Sequence, residues 1–495
     1  MSPGFGYLLT LALLPQLILV GVALACAVIA LVRPAERADL YRWLACIGLL
    51  GAVAACGFEL FAMRLNRNGV AFEVWSGGLT VDHFSIFITI TACSFALIAC
   101  LLSDTYLRRI PTRAAAFSAL VLITTTATAA LASERELTTF VVSLVLLLFG
   151  LVAITALLKT DPRGAQTAWS LLKWGGVATA LVVYGAAVLY GVTGSTVLSA
   201  VGATVHRSSG ITAIGITLVL VGMTFFVGGF PLRDWLTSTS EGVPPVAAGF
   251  VIAMATTAGA TGTVRLTVSG LGGSVPAWTW LLSALAVIAV VQAALLAVRA
   301  RDIRQLITAI VTSQAGLLFV AIISFGQGAS GVPARGTTAL LFAVFAFGLA
   351  VLAAFAVLSM LQTAGLSAAV TAYRGLAHRS APTALLLSLA LTTLAGVPPL
   401  AGFIARLFIV ESAMDAGYGW VAVIALVAAV VTAIPVVRLI AAMYAEVGDE
   451  IPFTLGATPR LGRMVATFCC IGGAALTVLA QPLLLLAGAG AGPLP

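Results

Sequence analysis

Two charged side chains fall where a membrane-spanning helix would bury them, and they have the most chemistry to offer. Lys173 lies in Leu171-Leu172-Lys173-Trp174 and is one of only two lysines; the other, Lys159, sits between apolar runs. An amine inside a bilayer is costly to keep charged, so it snorkels to the interface or exchanges a proton with a partner. Arg406 lies in Phe403-Ile404-Ala405-Arg406-Leu407, just past an interruption rich in proline and glycine. A guanidinium stays protonated, so Arg406 can anchor a carboxylate, polarise water or repel a proton, but it is a poor relay by itself. A third group, Arg233, Asp234 and Glu241, follows another interruption and reads as a solvated loop or as a vestibule. The middles of the fifth, seventh and eighth apolar runs, at Val145, Phe226 and Thr256, hold neither acid nor amine.

The interruptions are specific. The seventh run ends in Gly228-Gly229-Phe230-Pro231, and the twelfth contains Gly396-Val397-Pro398-Pro399-Leu400-Ala401-Gly402. Proline removes a donor and clashes with the preceding turn, and glycine weakens the helix further. Each break frees carbonyls that only protein or a hydrated path can line inside a membrane. The breaks lie five helices apart. If helices 4–8 form one unit and helices 9–13 another, each break falls in the fourth helix of its unit. Because five is odd, the two units run in opposite orientation, the inverted-repeat arrangement of many ion transporters. Two unrelated proline kinks are the simpler alternative.

The elements that must carry these residues follow from composition. Of 495 residues 61% are hydrophobic and 8% charged, with a mean hydropathy of +1.14. Soluble domains carry roughly 25% charged residues, so a soluble protein is excluded. Apolar runs at about 7–32, 43–63, 82–103, 112–132, 137–158, 166–193, 211–230, 243–267, 276–298, 305–325, 336–362, 381–409, 417–442 and 464–488 are each long enough to cross a bilayer as a helix. The first is too long for a signal-peptide core and has no basic flank, so it is expected to remain as a span. The expected fold is an all-α integral membrane protein of about fourteen transmembrane helices, with two inverted five-helix repeats and broken helices 7 and 12. Its expected divisions are 1–110 (helices 1–3), 111–270 (helices 4–8), 271–445 (helices 9–13) and 446–495 (helix 14).

Loop charge tests the count. With both termini outside, the inside loops hold 16 basic residues: Arg33, Arg37, Arg42, Arg108, Arg109, Arg113, Lys159, Arg163, Arg233, Arg299, Arg301, Arg304, Arg374, Arg379, Arg460 and Arg463. The outside loops hold six: Arg64, Arg67, Arg135, Arg207, Arg265 and Arg335. This is the positive-inside bias of a membrane protein, so the net charge of +8 is topology and not a nucleic-acid footprint. The seven cysteines lie in or near apolar runs without CxxC spacing and read as small buried hydrophobes.

Four stretches, in order, carry a family resemblance. They are Leu171-Leu172-Lys173-Trp174 with Tyr190-Gly191-Val192-Thr193-Gly194-Ser195-Thr196; Pro231-Leu232-Arg233-Asp234-Trp235 with Glu241-Gly242-Val243-Pro244-Pro245-Val246; Asp302-Ile303-Arg304-Gln305-Leu306 through Ser313-Gln314-Ala315-Gly316; and Gly375-Leu376, Arg379-Ser380-Ala381-Pro382 and Leu394 to Phe403. Over roughly residues 80–445 the chain resembles the antiporter-like membrane subunits of proton-pumping NADH:quinone oxidoreductase, subunit N in particular, with kinship to multi-subunit sodium/proton antiporters. The resemblance implies fourteen helices, two inverted five-helix units, and protons crossing by acids and amines of helices 5, 7, 8 and 12. This sequence departs there. The expected glutamate aligns with Val145, the lysines with Phe226, Thr256 (or Thr257) and Arg406, and a tenth-helix histidine with Gln314.

The resemblance therefore implies a membrane-arm subunit of a proton-translocating, complex I-like assembly, with an altered route or a non-pumping role. The alternatives are a subunit of a multi-subunit cation/proton antiporter and a scaffold in a related ion-translocating redox complex. The expected proton-path candidates are Lys173, Arg233, Asp234, Glu241, Gln314 and Arg406. No cofactor or metal is expected in this chain, and quinone is expected only through the complex. The expected partners are other membrane-arm subunits and lipid in a bacterial inner membrane, with no nucleic acid.

Overall fold

The computed structural model describes residues 13–32, 38–65, 72–74, 78–107, 110–157, 162–205, 210–271, 275–325, 332–446 and 460–478. Lipid offers no hydrogen bonds to the backbone, so apolar segments satisfy themselves as helices. The spans are α1 (Leu14–Val32), α2 (Ala38–Leu65), α3 (His83–Leu102), α4 (Ala114–Ser133), α5 (Leu137–Ala156), α6 (Pro162–Thr193) and α7 (Gly210–Val227). They continue as α8 (Pro245–Val264), α9 (Val275–Arg299), α10 (Ile303–Ile323) and α11 (Val332–Thr363). The last are α12a (Ala381–Ala395), α12b (Ala401–Asp415), α13 (Gly419–Tyr444) and α14 (Arg460–Val478). Among the described residues 13 helices are long and apolar enough to cross a membrane. α12 is not among them because its break divides it into halves; the two together make the fourteenth crossing. Positions 7–12 of the first apolar run and 479–488 of the last lie outside the described residues.

Two departures from the expected pattern are local. A two-stranded antiparallel hairpin, β1 (Phe72–Val74) and β2 (Leu79–Val81), follows α2. Asp82 then starts α3 with a capping box, accepting from the Ser85 backbone at 2.7 Å. α7 also stops earlier than its apolar run, and the chain turns into a short helix, Asp234–Gly242.

α10 is wholly enclosed and α8 and α11 nearly so, while α1, α6, α13 and α14 form the rim. α8 packs against α3, α4, α5, α7 and α11.

Backbone hydrogen bonds display the repeat. At the start of α5, Leu137 N donates to Thr196 O and Leu198 N to Arg135 O, both at 2.8 Å. At the start of α10, Ile303 N donates to Ala368 O at 3.0 Å and Val370 N to Arg301 O at 3.1 Å. The second helix of each unit is thus stapled to the segment following the third. The first staple lies on the arginine-poor face and the second on the arginine-rich face. The breaks match in the same way. Gly228, at φ 83°, donates to Phe225 O and Gly229 to Thr224 O. Gly396, at φ 63°, donates to Thr393 O and Val397 to Thr392 O. Both are glycine-terminated helix ends in which two successive N–H groups reach back over the last turn.

The interior of the first unit is closed by backbone contact. A Cβ at Gly259 of α8 would stand 2.5 Å from Val227 N and 2.8 Å from Phe226 Cβ. One at Gly262 would meet Met223 at 2.8 Å and Phe140 at 3.0 Å. Because the neighbour at Gly259 is backbone, it cannot rotate aside. Gly259→Ala is expected to cost about 1–3 kcal/mol by overpacking, read as a lower thermal midpoint of the purified protein. A wild-type midpoint would show that α7 and α8 separate easily.

Candidate functional site

The α12 break assembles the most buried charge of the second unit. Gln314 on α10 donates through Nε2 to Leu394 O at the end of α12a, occupying a carbonyl beside the break. Arg406 on α12b points back across the break and lies directly against Gly396, where a side chain would collide with the guanidinium. Its Nε and Nη2 are buried without a partner among the described residues. A groove of about 530 Å³ between α12 and α13 reaches it, lined by Gly396, Pro398, Phe403, Arg406, Val430 and Arg438. Gly402 is needed for close approach, since a Cβ there would strike Thr393 O. The arrangement can hold an anion or orient water against a fixed positive charge.

The α7 break holds no such charge. Its Phe225 carbonyl, which takes the Gly228 N–H, also accepts from the indole N–H of Trp235 at 2.8 Å. Phe226 is fully buried and meets Phe225 edge-on at 5.0 Å between centroids. Pro231 is exposed at the turn that follows Gly228 and Gly229. Val145 faces outward from α5, 48% exposed, so it lies away from the bundle interior. The Thr256 hydroxyl is buried without a partner among the described residues, whereas Thr257 donates to Ala253 O.

Arg233, Asp234 and Glu241 all lie on the arginine-rich face, Arg233 and Asp234 at the start of the short helix and Glu241 near its end. Arg233 is buried and donates to Thr237 Oγ1 at 2.9 Å; burial lowers its pKa and Asp234 opposes that. Asp234 and Glu241 are exposed. Glu241 accepts from Gln305 Nε2 at 3.0 Å, and its carbonyl accepts from Arg304 at 3.0 Å. Arg304 also donates to Ser240 O and to Gln362 Oε1. Asp302 caps α10 through the Arg304 backbone at 2.8 Å, and burial raises its pKa. Lys173 stands apart from all of these. It is on the exposed side of α6, its ammonium 5.0 Å from the centroid of the Trp174 ring.

Sequence reasoning missed the most buried ion pair among the described residues. Arg265, counted as a loop residue, is fully buried at the π-helical end of α8, Arg265–Gly270. It binds Asp82 Oδ1 through Nη2 at 2.7 Å, donates to Ala132 O through Nε at 2.7 Å, and lies 4.9 Å over the Phe84 ring. Asp82 and Arg265 are too far apart in sequence for any local signal, although Arg265 did fall within the eighth apolar run. Glu134, beside the same group, was also missed. It is buried, and Ser143 of α5 donates to its Oε1 at 3.0 Å. Burial pushes its carboxyl up to about 7, against the Ser143 hydrogen bond that pulls it down, with Glu136 adding to the rise.

Comparison with known proteins adds to this geometry. The family described as NADH:quinone oxidoreductase/Mrp antiporter, TM, matches residues 134–432. The NADH-quinone oxidoreductase subunit N of Trichlorobacter lovleyi is 27% identical over 443 residues, covering 88% of each chain. A chain of respiratory complex I from Thermus thermophilus superposes with a TM-score of 0.78 at 27% identity, over 96% of this chain and 99% of that one. A chain of the Mrp complex from Dietzia shares the fold, with a TM-score of 0.80 at 18% identity over 97% of each.

Proposed function

The chain belongs to the NADH:quinone oxidoreductase/Mrp antiporter transmembrane family, and from that premise we propose that it is a membrane-arm subunit of a proton-translocating NADH:quinone oxidoreductase-like complex. The observation that carries the reading furthest is the contrast between two breaks of one design. The α12 break keeps a buried arginine and a polar amide against its carbonyls. The α7 break is filled by Phe226 and Trp235. Any proton transfer assisted by this chain then runs beside Arg406, while the first unit serves as packed support. The divisions after residues 110, 270 and 445 follow the repeat.

Orientation follows from loop charge: the arginine-rich face is cytoplasmic and both termini lie outside, in a bacterial inner membrane. Redox cofactors and the quinone site belong to other subunits. Lys173 on α6 and the groove beside Arg406 sit on the rim, where neighbouring membrane-arm subunits and lipid would cover them, because a bare charge in hydrocarbon is costly.

The test is affinity purification of the tagged chain from native membranes in mild detergent. Co-purification with NADH-oxidising and quinone-site subunits is the expected result. Recovery with cation/proton antiporter subunits alone would replace this reading with the antiporter one. A second expectation concerns the sealed half. Val145→Glu combined with Phe226→Lys should not create a proton path, because Val145 faces outward and Thr256 still lacks a titrating group. Proton leak or pumping gained by that double variant in vesicles would show the path to be nearly intact.

A further inference from the structure

Four buried, unpaired polar atoms sit on segments that meet at the arginine-poor end of the first unit: β2 and the Asp82 cap after it, the end of α4 and the π-helical end of α8. Leu79 of β2 bridges to Glu134, and Arg135 N donates to Gly78 O at 2.9 Å. Arg265 ties α8 to the same place through Ala132 O and Asp82. Around this junction Thr80 Oγ1, Asp82 Oδ2, Glu134 Oε2 and Arg265 Nη1 are all buried without a hydrogen-bond partner among the described residues. One such orphan costs about 1–3 kcal/mol. Several in one place, with donors and acceptors mixed, are the setting in which a protein keeps internal water.

We propose that this junction is a proton-binding site, in which water held by Thr80, Asp82 and Arg265 exchanges a proton with the Glu134 carboxyl. The step balances simply: a hydronium ion gives its proton to the carboxylate, leaving a neutral acid and a water molecule. Glu134 is the acid suited to it. Asp82 already has its cation in Arg265, and Glu136, the N-terminal cap of α5, accepts from Thr196 Oγ1 at 2.8 Å. Arg135 lies between the two glutamates in the chain and is itself buried. Glu134 has the Ser143 hydroxyl on one oxygen, and its other oxygen has no partner among the described residues. Burial disfavours its charged form, and its pKa of about 7 puts the exchange near neutral pH. Because Phe226 and Val227 close the unit against Gly259, the proton returns to the face it came from. The site rests on these contacts; only its assignment to the periplasmic side rests on the proposed function.

The test is an infrared titration of the purified complex between about pH 5 and pH 8, recording the protonated-carboxyl band. The expected result is a band with a midpoint near 7 that is lost in Glu134→Gln and kept in Glu136→Gln. A band unaffected by Glu134→Gln, or one lost in that variant but titrating in the ordinary carboxylate range, overturns the proposal. Ser143→Ala supplies a second arm if Glu134→Gln does not assemble. It removes a donor that favours the ionised form, so the midpoint should rise, and an unmoved midpoint also overturns the proposal. The band reports Glu134 whether or not the chain pumps, so failure here is distinct from failure of the co-purification test.

Discussion

Arg265→Ala is expected to destabilise the protein by about 3–5 kcal/mol, and Asp82→Ala by a similar amount, since each leaves an uncompensated buried charge. Few positions in the chain carry as much structure through one side chain. Arg265 is fully buried, joins the end of α8 to the cap of α3 and the last turn of α4, and covers Phe84. Loss of Asp82 also removes the capping box of α3. The measurements are the amount of chain retained in membranes and the thermal midpoint after purification. Replacing both residues by leucine should recover most of the loss, because a packed apolar pair avoids the desolvation that the ion pair must overcome. A single-variant cost below about 1 kcal/mol would correspond to an exposed pair and would contradict the burial described above.

Arg406→Ala is expected to reduce coupled proton transfer by about tenfold or more, a barrier rise of about 1.4 kcal/mol per decade, while the complex still assembles. Arg406 is the charge beside the α12 break, it is buried, and two of its nitrogens have no partner among the described residues. Removing it leaves the break without its buried charge; the other arginine of the groove, Arg438, is exposed on α13. Arg406→Lys keeps the charge but not the planar fork, so partial retention is expected. Proton pumping in vesicles, normalised to NADH oxidation, is the readout. Wild-type pumping by an assembled Arg406→Ala complex would remove Arg406 from any proton path.

The architecture was legible in the sequence because each helix announces itself by an uninterrupted apolar run, and each break by glycine followed by proline. Gly228, Pro231, Gly396 and Pro398 stand at real ends of helices for the reason their chemistry predicts. Distances between chain segments were not legible. Nothing near Gln314 says that its amide will meet Leu394, and nothing near Ala132 says that Arg265 will reach it. Facing was also hidden. Lys173 occupies an apolar run yet points outward, because α6 lies on the rim, and the weak period of an all-apolar helix does not tell one side from another. The family resemblance gave the helix order and the absent charges. It gave no indication of the Glu134 junction, which depends on residues outside the quoted motifs.

α10 touches both interruptions. Near its start, Arg304 grips the carbonyls of Ser240 and Glu241 beyond the α7 break; farther along, Gln314 grips Leu394 at the α12 break. The two residues are about 15 Å apart along the axis, at 1.5 Å per residue. The helix between them is buried except at Gln305. Two places remote in sequence are therefore held by one stiff rod, and a shift of either along the rod's axis pulls on the other.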